Sequence, residues 1–162
     1  MENGLIKMEE IFNKYMPKGP YQLKPIYIYD WLILGNINDA QVLNTDAVLS
    51  VFNECDKYKD IFSKKTWLCI NSLDSSEQNL EAHFNEAFEF LDRMEKENKV
   101  CIIHCHAGIN RSATIALAYF MKKMNIKLYD AYEHLSLLRP GIIYNINFRK
   151  QLINYAKNND LF

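Results

Sequence analysis

The sequence predicts an α/β fold, a single domain in which a central, mostly parallel sheet is flanked by helices. Three short apolar runs have the length and composition of buried parallel strands: Ala47–Phe52, Thr66–Ile70 and Val100–Ile103. Stretches with helical spacing of their apolar residues lie between and after these runs. With 162 residues, of which 49% are hydrophobic, the chain is expected to bury one core and to leave no room for a second module.

A helix and two strands are predicted before the first buried run. Leu5–Met16 carries apolar residues at helical spacing and is followed by a proline, which ends helices. Ile26–Tyr29 and Leu32–Leu34 have the composition of strands, and Gly35 is predicted to close a turn.

Four longer helices are predicted in the second half of the chain. From Leu80 to Met94, apolar side chains fall on one helical face and charged side chains on the other. Three further helical stretches follow the last buried strand: Arg111–Met124, Leu128–Leu138 and Ile146–Lys157. The residues between that strand and the first of these helices therefore form a loop at a helix N-terminus.

This loop indicates a nucleophilic site that binds an anion. With its flanks it has the sequence VCIIHCHAGINRS. A loop at a helix N-terminus points backbone N–H groups at an anion, and the same groups stabilise the thiolate of Cys105, which makes it a nucleophile at neutral pH. The guanidinium of Arg111 can hold two oxygens of a phosphate. Gly108 gives the loop backbone freedom, and Ser112 can donate a hydrogen bond to the sulfur.

The same residues match the signature HCxxGxxR followed by Ser or Thr, so the chain resembles the cysteine-dependent protein phosphatases, and among them the small dual-specificity phosphatases. A second stretch, RPGIIYNINFRKQL, resembles the RPxxxxNxxFxxQL segment of that family, with Arg139, Pro140, Asn145, Phe148 and Gln151 in matching positions. The resemblance runs from about residue 26 to residue 153. It implies a catalytic domain over residues 26–158, after an N-terminal helix and linker over 1–25 and before a short tail over 159–162.

The resemblance also implies roles for individual residues. His104 is expected to order the loop or to help stabilise the thiolate, and Asn145 to brace the loop. LILGN resembles a family segment that precedes a short helix, here Asn38–Leu43. The phosphate-binding loop is expected to consist of His106, Ala107, Gly108, Ile109, Asn110 and Arg111.

A thiolate that attacks a phosphate monoester needs an acid to protonate the departing oxygen. Asp74 follows the strand Thr66–Ile70 in a polar stretch, and its placement ahead of Cys105 resembles that of the general acid in the small dual-specificity phosphatases. Glu77 is the second candidate. The alternative for Asp74 is a structural role in a turn or at a helix entry.

The cysteine segment is compatible with two other kinds of site, a zinc site and a cysteine protease site. Cys101, Cys105, His104 and His106 could hold a zinc ion, but no second pair of ligands follows at a structural spacing. A papain-like protease needs a separate histidine and an orienting Asn or Asp, and it has no use for Arg111.

Two departures from the family pattern keep alternatives open. Asn110 stands where dual-specificity enzymes more often carry serine, and it resembles the loop of RNA 5′-triphosphatases related to capping enzymes. Against that activity stand the following RSAT, the Asp74 acid and a net charge of −1, where nucleic-acid binding favours a basic chain. His106 and Ile109 replace the lysines of phosphoinositide phosphatases, which makes a multiply charged lipid headgroup a poor substrate. A phosphoprotein-binding module without turnover is the remaining alternative.

The expected reaction needs neither a metal nor a cofactor. The expected partner is a phosphorylated protein, not a nucleic acid or a membrane; the oligomeric state is not predicted. Four cysteines, no secretory hydrophobic region and no apolar run near 18 residues predict a soluble protein in the cytoplasm, with the nucleus as the alternative. Cys69 or Cys101 is a candidate to trap an oxidised Cys105 as a disulfide, although both are more often simply small core residues.

Overall fold

Within residues 1–19 and 23–162, which the computed structural model describes, five strands form one sheet in the order β1-β2-β5-β3-β4. β5 lies in the middle, and its neighbours β2 and β3 run parallel to it, as β4 does to β3. β1 pairs antiparallel with β2 at one edge. The strands are β1 (Ile26–Tyr29), β2 (Leu32–Gly35), β3 (Ala47–Phe52), β4 (Thr66–Asn71) and β5 (Cys101–His104).

Helices cover both faces of this sheet. The larger core lies under α1 and α4 to α7, and the smaller one contains Ala40 of α2 together with Val48, Phe62 and Ile102. Both faces of the central strands are therefore buried, which explains why they are continuous apolar runs. The helices are α1 (Glu2–Tyr15), α2 (Ile37–Val42), α3 (Cys55–Tyr58), α4 (Phe84–Lys96), α5 (Arg111–Met124), α6 (Leu128–Leu138) and α7 (Ile146–Asn158), with a 3-10 turn over Glu81–His83.

The loop with Cys105 leaves the carboxyl end of β5, the central strand, and enters α5. Functional groups of parallel sheets gather at the carboxyl ends of the strands, where loops from neighbouring strands also meet. β3 and β4 end at the same edge of the sheet, so the loops that follow them begin beside Cys105. No helix among the described residues combines the length and the apolar character that crossing a bilayer requires.

The predicted fold class is confirmed, with local differences. Gly35, predicted to close a turn, is the last residue of β2, and the side chain of Asp39 occupies the space that a Cβ at Gly35 would need. The predicted helix from Leu80 begins as a 3-10 turn. α3 was not predicted, since it is only four residues long. Part of the predicted linker, residues 20–22, lies outside the described residues.

The cysteines differ from the prediction. Cys55, the first residue of α3, forms a disulfide with Cys69 of β4, and their Cα atoms are 5.9 Å apart. The prediction that Cys69 is available to trap Cys105 is therefore wrong, because its sulfur is already bonded. Cys101 and Cys105 are free and buried.

This disulfide is expected to stabilise the fold. It links residues 14 apart, and closing a loop of that size lowers the entropy of the unfolded chain, which raises the free energy of unfolding by about 3 kcal/mol at 25 °C. Reduction should lower the melting temperature of the wild type and leave that of Cys55→Ser unchanged. Titration of the denatured, non-reduced protein should find the two free thiols. Four reactive thiols, or equal melting temperatures with and without reductant, would contradict the bond.

Candidate active site

The loop between β5 and α5, here called the catalytic loop (residues 105–110), begins with Cys105, which is buried and only 2% exposed. The hydroxyl of Ser112, in the first turn of α5, donates to its sulfur over 3.1 Å. A hydroxyl at this distance stabilises a thiolate both when it attacks and when it leaves. The structure therefore brings together the two residues that the sequence pairs as nucleophile and sulfur donor.

Arg139 holds the loop from outside. Its side chain is 1% exposed and donates to the carbonyl oxygens of Gly108 (Nε, 2.8 Å) and Ala107 (Nη2, 3.0 Å). A third bond, from Nη1 to the carbonyl of Lys24 at 2.6 Å, connects it to the chain before β1. Arginine suits this position because its planar fork can bind several carbonyls at once.

Two backbone hydrogen bonds hold further carbonyl groups of the same loop. The N–H of Ile37 donates to the carbonyl of His106 at 3.1 Å, and the N–H of Ile143 donates to that of Ile109 at 2.8 Å. Four consecutive loop carbonyls, from residue 106 to residue 109, are thus bonded to groups outside the loop. Turning the carbonyls outward directs the loop N–H groups inward, which is the arrangement that binds an anion.

Two residues adopt left-handed backbone conformations to make these contacts. Gly108 has φ +66°, and a Cβ there would overlap the carbonyl oxygen of Gly35 and lie 2.6 Å from Nη2 of Arg139. Ile143 has φ +59°, an unfavourable conformation for a β-branched residue that costs about 1–3 kcal/mol. Its N–H bonds Ile109, and its carbonyl accepts from Nε of Arg149 at 2.6 Å, so both polar groups hold it in place.

Arg111 has the geometry of a phosphate ligand. Nη1 donates to the carbonyl of Ser72 (2.9 Å) and to Oδ1 of Asn53 (3.3 Å), which fixes the guanidinium from the loops after β4 and β3. Its Nε is buried and has no hydrogen-bond partner among the described residues. Since a buried donor without a partner is unfavourable, this N–H indicates a site for an anionic oxygen.

His104, the last residue of β5, acts from beneath the loop. It is fully buried, with Nδ1 2.9 Å from the carbonyl oxygen of Cys105 and Nε2 2.6 Å from Oγ of Ser50. Because the carbonyl can only accept, Nδ1 carries the proton and Nε2 accepts from Ser50, which itself accepts from Trp67 at 2.8 Å. Burial lowers the pKa of His104 from 6.5 to about 4. The imidazole is therefore neutral, and of the two predicted roles the contacts favour ordering of the loop.

Stability is expected to depend on pH because of His104. In the unfolded chain its pKa is near 6.5, so between pH 6.5 and pH 4 the unfolded state binds the proton and the folded state does not. The free energy of unfolding should fall by about 3 kcal/mol as the pH drops through this window. Urea unfolding at several pH values would measure it. His104→Gln should flatten this dependence, whereas His134→Gln, at an exposed histidine, should leave it as in the wild type.

The structure places Asp74 against the catalytic loop. Asp74 lies on an exposed loop after β4, and its Oδ2 accepts from Nδ2 of Asn110 at 2.9 Å. Its Oδ1 accepts from Nδ2 of Asn145, the N-cap of α7, at 2.8 Å. Asn145 also contacts the loop directly, because its backbone N–H donates to Oδ1 of Asn110 at 3.1 Å. Glu77, the second candidate acid, is exposed, and its backbone N–H is bonded to Ser75 of its own loop.

Several residues of the site were missed in the sequence analysis. Ser50, Asn53 and Ser72 are bonded to His104 and Arg111, and each lies in a predicted strand or within two residues of its end, which was the available signal. On the rim, Nε2 of the half-exposed His106 lies 3.0 Å from Oε2 of Glu54. For the zinc alternative, the described part of the chain contains no cluster of three or more His, Cys, Asp or Glu side chains that could hold a metal ion.

Several known proteins are similar to this chain in sequence. The family model described as dual specificity phosphatase, catalytic domain, matches residues 26–158. Dual specificity protein phosphatase 22-A of Danio rerio is 31% identical over 128 residues, which are 77% of this chain and 62% of that protein. Tyrosine-protein phosphatase vhp-1 of Caenorhabditis elegans is 37% identical over 113 residues, 70% of this chain and 17% of that protein. The chain thus spans less than two thirds of either relative.

Solved structures show the same fold. The crystal structure of DUSP15 superposes with a TM-score of 0.76 and 28% identity, over 85% of this chain and 91% of that one. OH1 from the Orf virus, a tyrosine phosphatase, superposes with a TM-score of 0.74 over 91% of this chain and 95% of its own. At 23% identity, the likeness to OH1 concerns the fold alone.

Proposed function

The chain belongs to the dual specificity phosphatase family, and we propose that it is a protein phosphatase that hydrolyses phosphotyrosine, phosphoserine and phosphothreonine through a cysteinyl-phosphate. One observation carries the proposal. Four successive loop carbonyls are bonded outward, which directs the loop N–H groups inward; the same loop carries the Cys105 sulfur with its Ser112 donor and leads into Arg111, whose buried Nε has no partner among the described residues. This arrangement fits a tetrahedral anion attacked by sulfur.

In the first step, the Cys105 thiolate attacks phosphorus in line with the departing oxygen. A sulfur–phosphorus bond forms, the phosphorus–oxygen bond breaks, and Asp74 gives its proton to the departing oxygen. Arg111 and the loop N–H groups stabilise the equatorial oxygens, where charge accumulates in phosphoryl transfer.

In the second step, water hydrolyses the cysteinyl-phosphate. Asp74, now ionised, takes a proton from the attacking water, and the electrons of the sulfur–phosphorus bond return to Cys105. The hydroxyl of Ser112, 3.1 Å from the sulfur, stabilises the departing thiolate. Inorganic phosphate leaves, and the enzyme regains its starting protonation state.

The proposed breadth of substrates rests on the resemblance of the catalytic segment to the small dual-specificity phosphatases. An open depression of about 380 Å³ adjoins Asp74 and is lined in part by Tyr144 and Ile146. It supports the proposal by offering room for residues beside the phosphorylated one. The proposed partner is accordingly a phosphorylated protein.

The alternatives have weaker support. Asn110 suggested an RNA 5′-triphosphatase, but it is 3% exposed, and its amide is bonded to Asp74 and Asn145 instead of facing the substrate. A binding module without turnover has no need of an acid beside the loop.

Residence in the cytoplasm or nucleus stays a proposal, and the Cys55–Cys69 disulfide weighs against it, because such bonds are rare in reducing compartments.

The test is phosphate release from three peptides that differ only in carrying phosphotyrosine, phosphothreonine or phosphoserine, near pH 6 with a chelator present. We expect release from all three and, after a rapid acid quench, a phosphorylated peptide that contains Cys105. RNA with a 5′-triphosphate is the competing substrate. Release from RNA alone would favour the triphosphatase, and no release from any substrate would favour a binding role.

A further inference from the structure

Asp74, Asn110 and Asn145 form a closed ring of hydrogen bonds, here called the acid clamp. Nδ2 of Asn110 donates to Oδ2 of Asp74 (2.9 Å), and Nδ2 of Asn145 donates to Oδ1 (2.8 Å). The backbone N–H of Asn145 donates to Oδ1 of Asn110 (3.1 Å) and closes the ring. Each carboxylate oxygen therefore accepts from a different amide.

Backbone donors determine which way both amides face. Oδ1 of Asn110 accepts from the N–H of Asn145, and Oδ1 of Asn145 accepts from the N–H of Asn147 at 2.9 Å. A backbone N–H can only donate, so the amide oxygens must point toward these groups. Both NH₂ groups are thereby directed at Asp74.

We infer that Asn110 and Asn145 are positioning residues for the general acid, whose side-chain amides fix the Asp74 carboxylate relative to Cys105 and Arg111. This inference rests on the proposed function. Protonation of the departing oxygen then depends on two amides that do not themselves take part in bond formation or cleavage.

The position of Asp74 in the fold shows why such a clamp is needed. Residues 72–80 form neither helix nor strand, and Asp74 is exposed. Bonds from α7 hold the loop backbone at Ser75 and Gln78, but the carboxylate of Asp74 itself is bonded to Asn110 and Asn145. Asn110, in contrast, is 3% exposed and directly precedes Arg111. A bond from Asn110 to Asp74 thus transfers the rigid position of the catalytic loop to the acid.

Asparagine is suited to this position in a way that serine is not. An amide carries its donor and its acceptor on different atoms, so Asn110 reaches Asp74 with one and Asn145 with the other. A serine hydroxyl has a shorter reach and a single oxygen for both bonds. The clamp also leaves the acid able to act, since each carboxylate oxygen keeps a second lone pair that can carry the proton toward the substrate.

The test separates positioning of the acid from general damage by means of the leaving group. Dinitrophenyl phosphate expels a weakly basic oxygen that needs no proton, nitrophenyl phosphate is intermediate, and phenyl phosphate needs the acid. For Asn110→Ala we expect kcat to fall by about tenfold or more with phenyl phosphate, and by progressively less toward the dinitrophenyl ester. Asp74→Asn should show the same trend more strongly.

Further variants complete the design. Asn145→Ser removes the donor to Asp74 but retains an oxygen for the N-cap of α7, and it should give the same trend if Asn110→Ala does not fold. Asn154→Ala, at an exposed amide bonded to Glu81, is the matched control and should behave as the wild type. In an Asp74→Asn background, adding Asn110→Ala should cause no further loss with phenyl phosphate.

The outcomes distinguish this inference from the function on which it rests. Two results would overturn the clamp: a loss of kcat in Asn110→Ala and Asn145→Ser that is equal for all three esters, or a loss that multiplies with that of Asp74→Asn. The proposed function would survive either result if Cys105→Ser were inactive. If the wild type hydrolysed none of the esters, or Cys105→Ser hydrolysed them as well as the wild type, the proposed function would fail and the clamp with it.

Discussion

Cys105→Ser is expected to lower kcat/KM for phosphotyrosine peptides by a factor on the order of 10⁴ or more. The substitution changes the side-chain volume little but replaces the thiol, which lies 3.1 Å from the Ser112 hydroxyl, by an alcohol, which does not ionise near neutral pH. The ring of loop N–H groups and Arg111 remain, so phosphopeptides should still bind. Steady-state kinetics with a chelator present and calorimetric titration of the inactive variant would measure the two effects.

Cys101 provides a matched control for this substitution. It lies in the same strand-loop segment and is also buried, and its burial raises the pKa of its thiol, so it stays protonated. Cys101→Ser should therefore retain the activity of the wild type within a few-fold, although it places a hydroxyl in the core. Equal losses in both variants would show that damage to β5, not loss of the nucleophile, causes the effect.

The reactive residues were predictable because their chemistry depends on neighbours in sequence. Cys105, Gly108, Arg111 and Ser112 fall within one strand-loop-helix unit, and backbone connectivity alone places them around a common point. The strands were predictable for a related reason. β3, buried along its whole length, is a run of apolar residues and one serine that local patterning reveals.

The groups that hold the loop were harder to predict because they come from distant segments. Arg139 bonds carbonyls 31 and 32 residues earlier in the chain, and Asn110 reaches Asp74 across 36 residues. Such partners depend on how α6 and the loops pack, which the spacing of apolar residues does not encode. The Cys55–Cys69 disulfide was missed for the same reason, since the pairing requires the position of α3 beside β4.

Arg139 and Asn110 were visible in the sequence in two different ways, one as a match to the family pattern and the other as a departure from it. Arg139 was visible only as a matching letter in RPGIIYNINFRKQL, without a role, because backbone carbonyls leave no trace in a side-chain pattern. Asn110 was visible as a departure from the family and suggested a different substrate. The structure turns this residue inward toward Asp74, so its identity bears on the acid more than on the substrate.

Arg111→Lys is the second substitution for which we expect a very large effect, a loss in kcat/KM of about 10³. Lysine keeps the positive charge, so the change tests geometry. The guanidinium donates through Nη1 to Ser72 and Asn53 and keeps its buried Nε without a partner among the described residues, so it has a donor left for a phosphate oxygen, whereas one ammonium group cannot serve both purposes. A lysine whose ammonium group bonded the carbonyl of Ser72 would have no planar guanidinium donors to offer to the phosphate oxygens.

The loss should divide between binding and chemistry in a way that identifies its cause. Inorganic phosphate is a ground-state ligand, so its inhibition constant should rise by far less than kcat/KM falls, because the guanidinium acts mainly on charge that develops in the transition state. Arg93→Lys, on the exposed face of α4, is the control for the exchange itself. If both constants changed equally, Arg111 would serve as a general phosphate anchor, and the loop amides would have to supply the transition-state stabilisation without it.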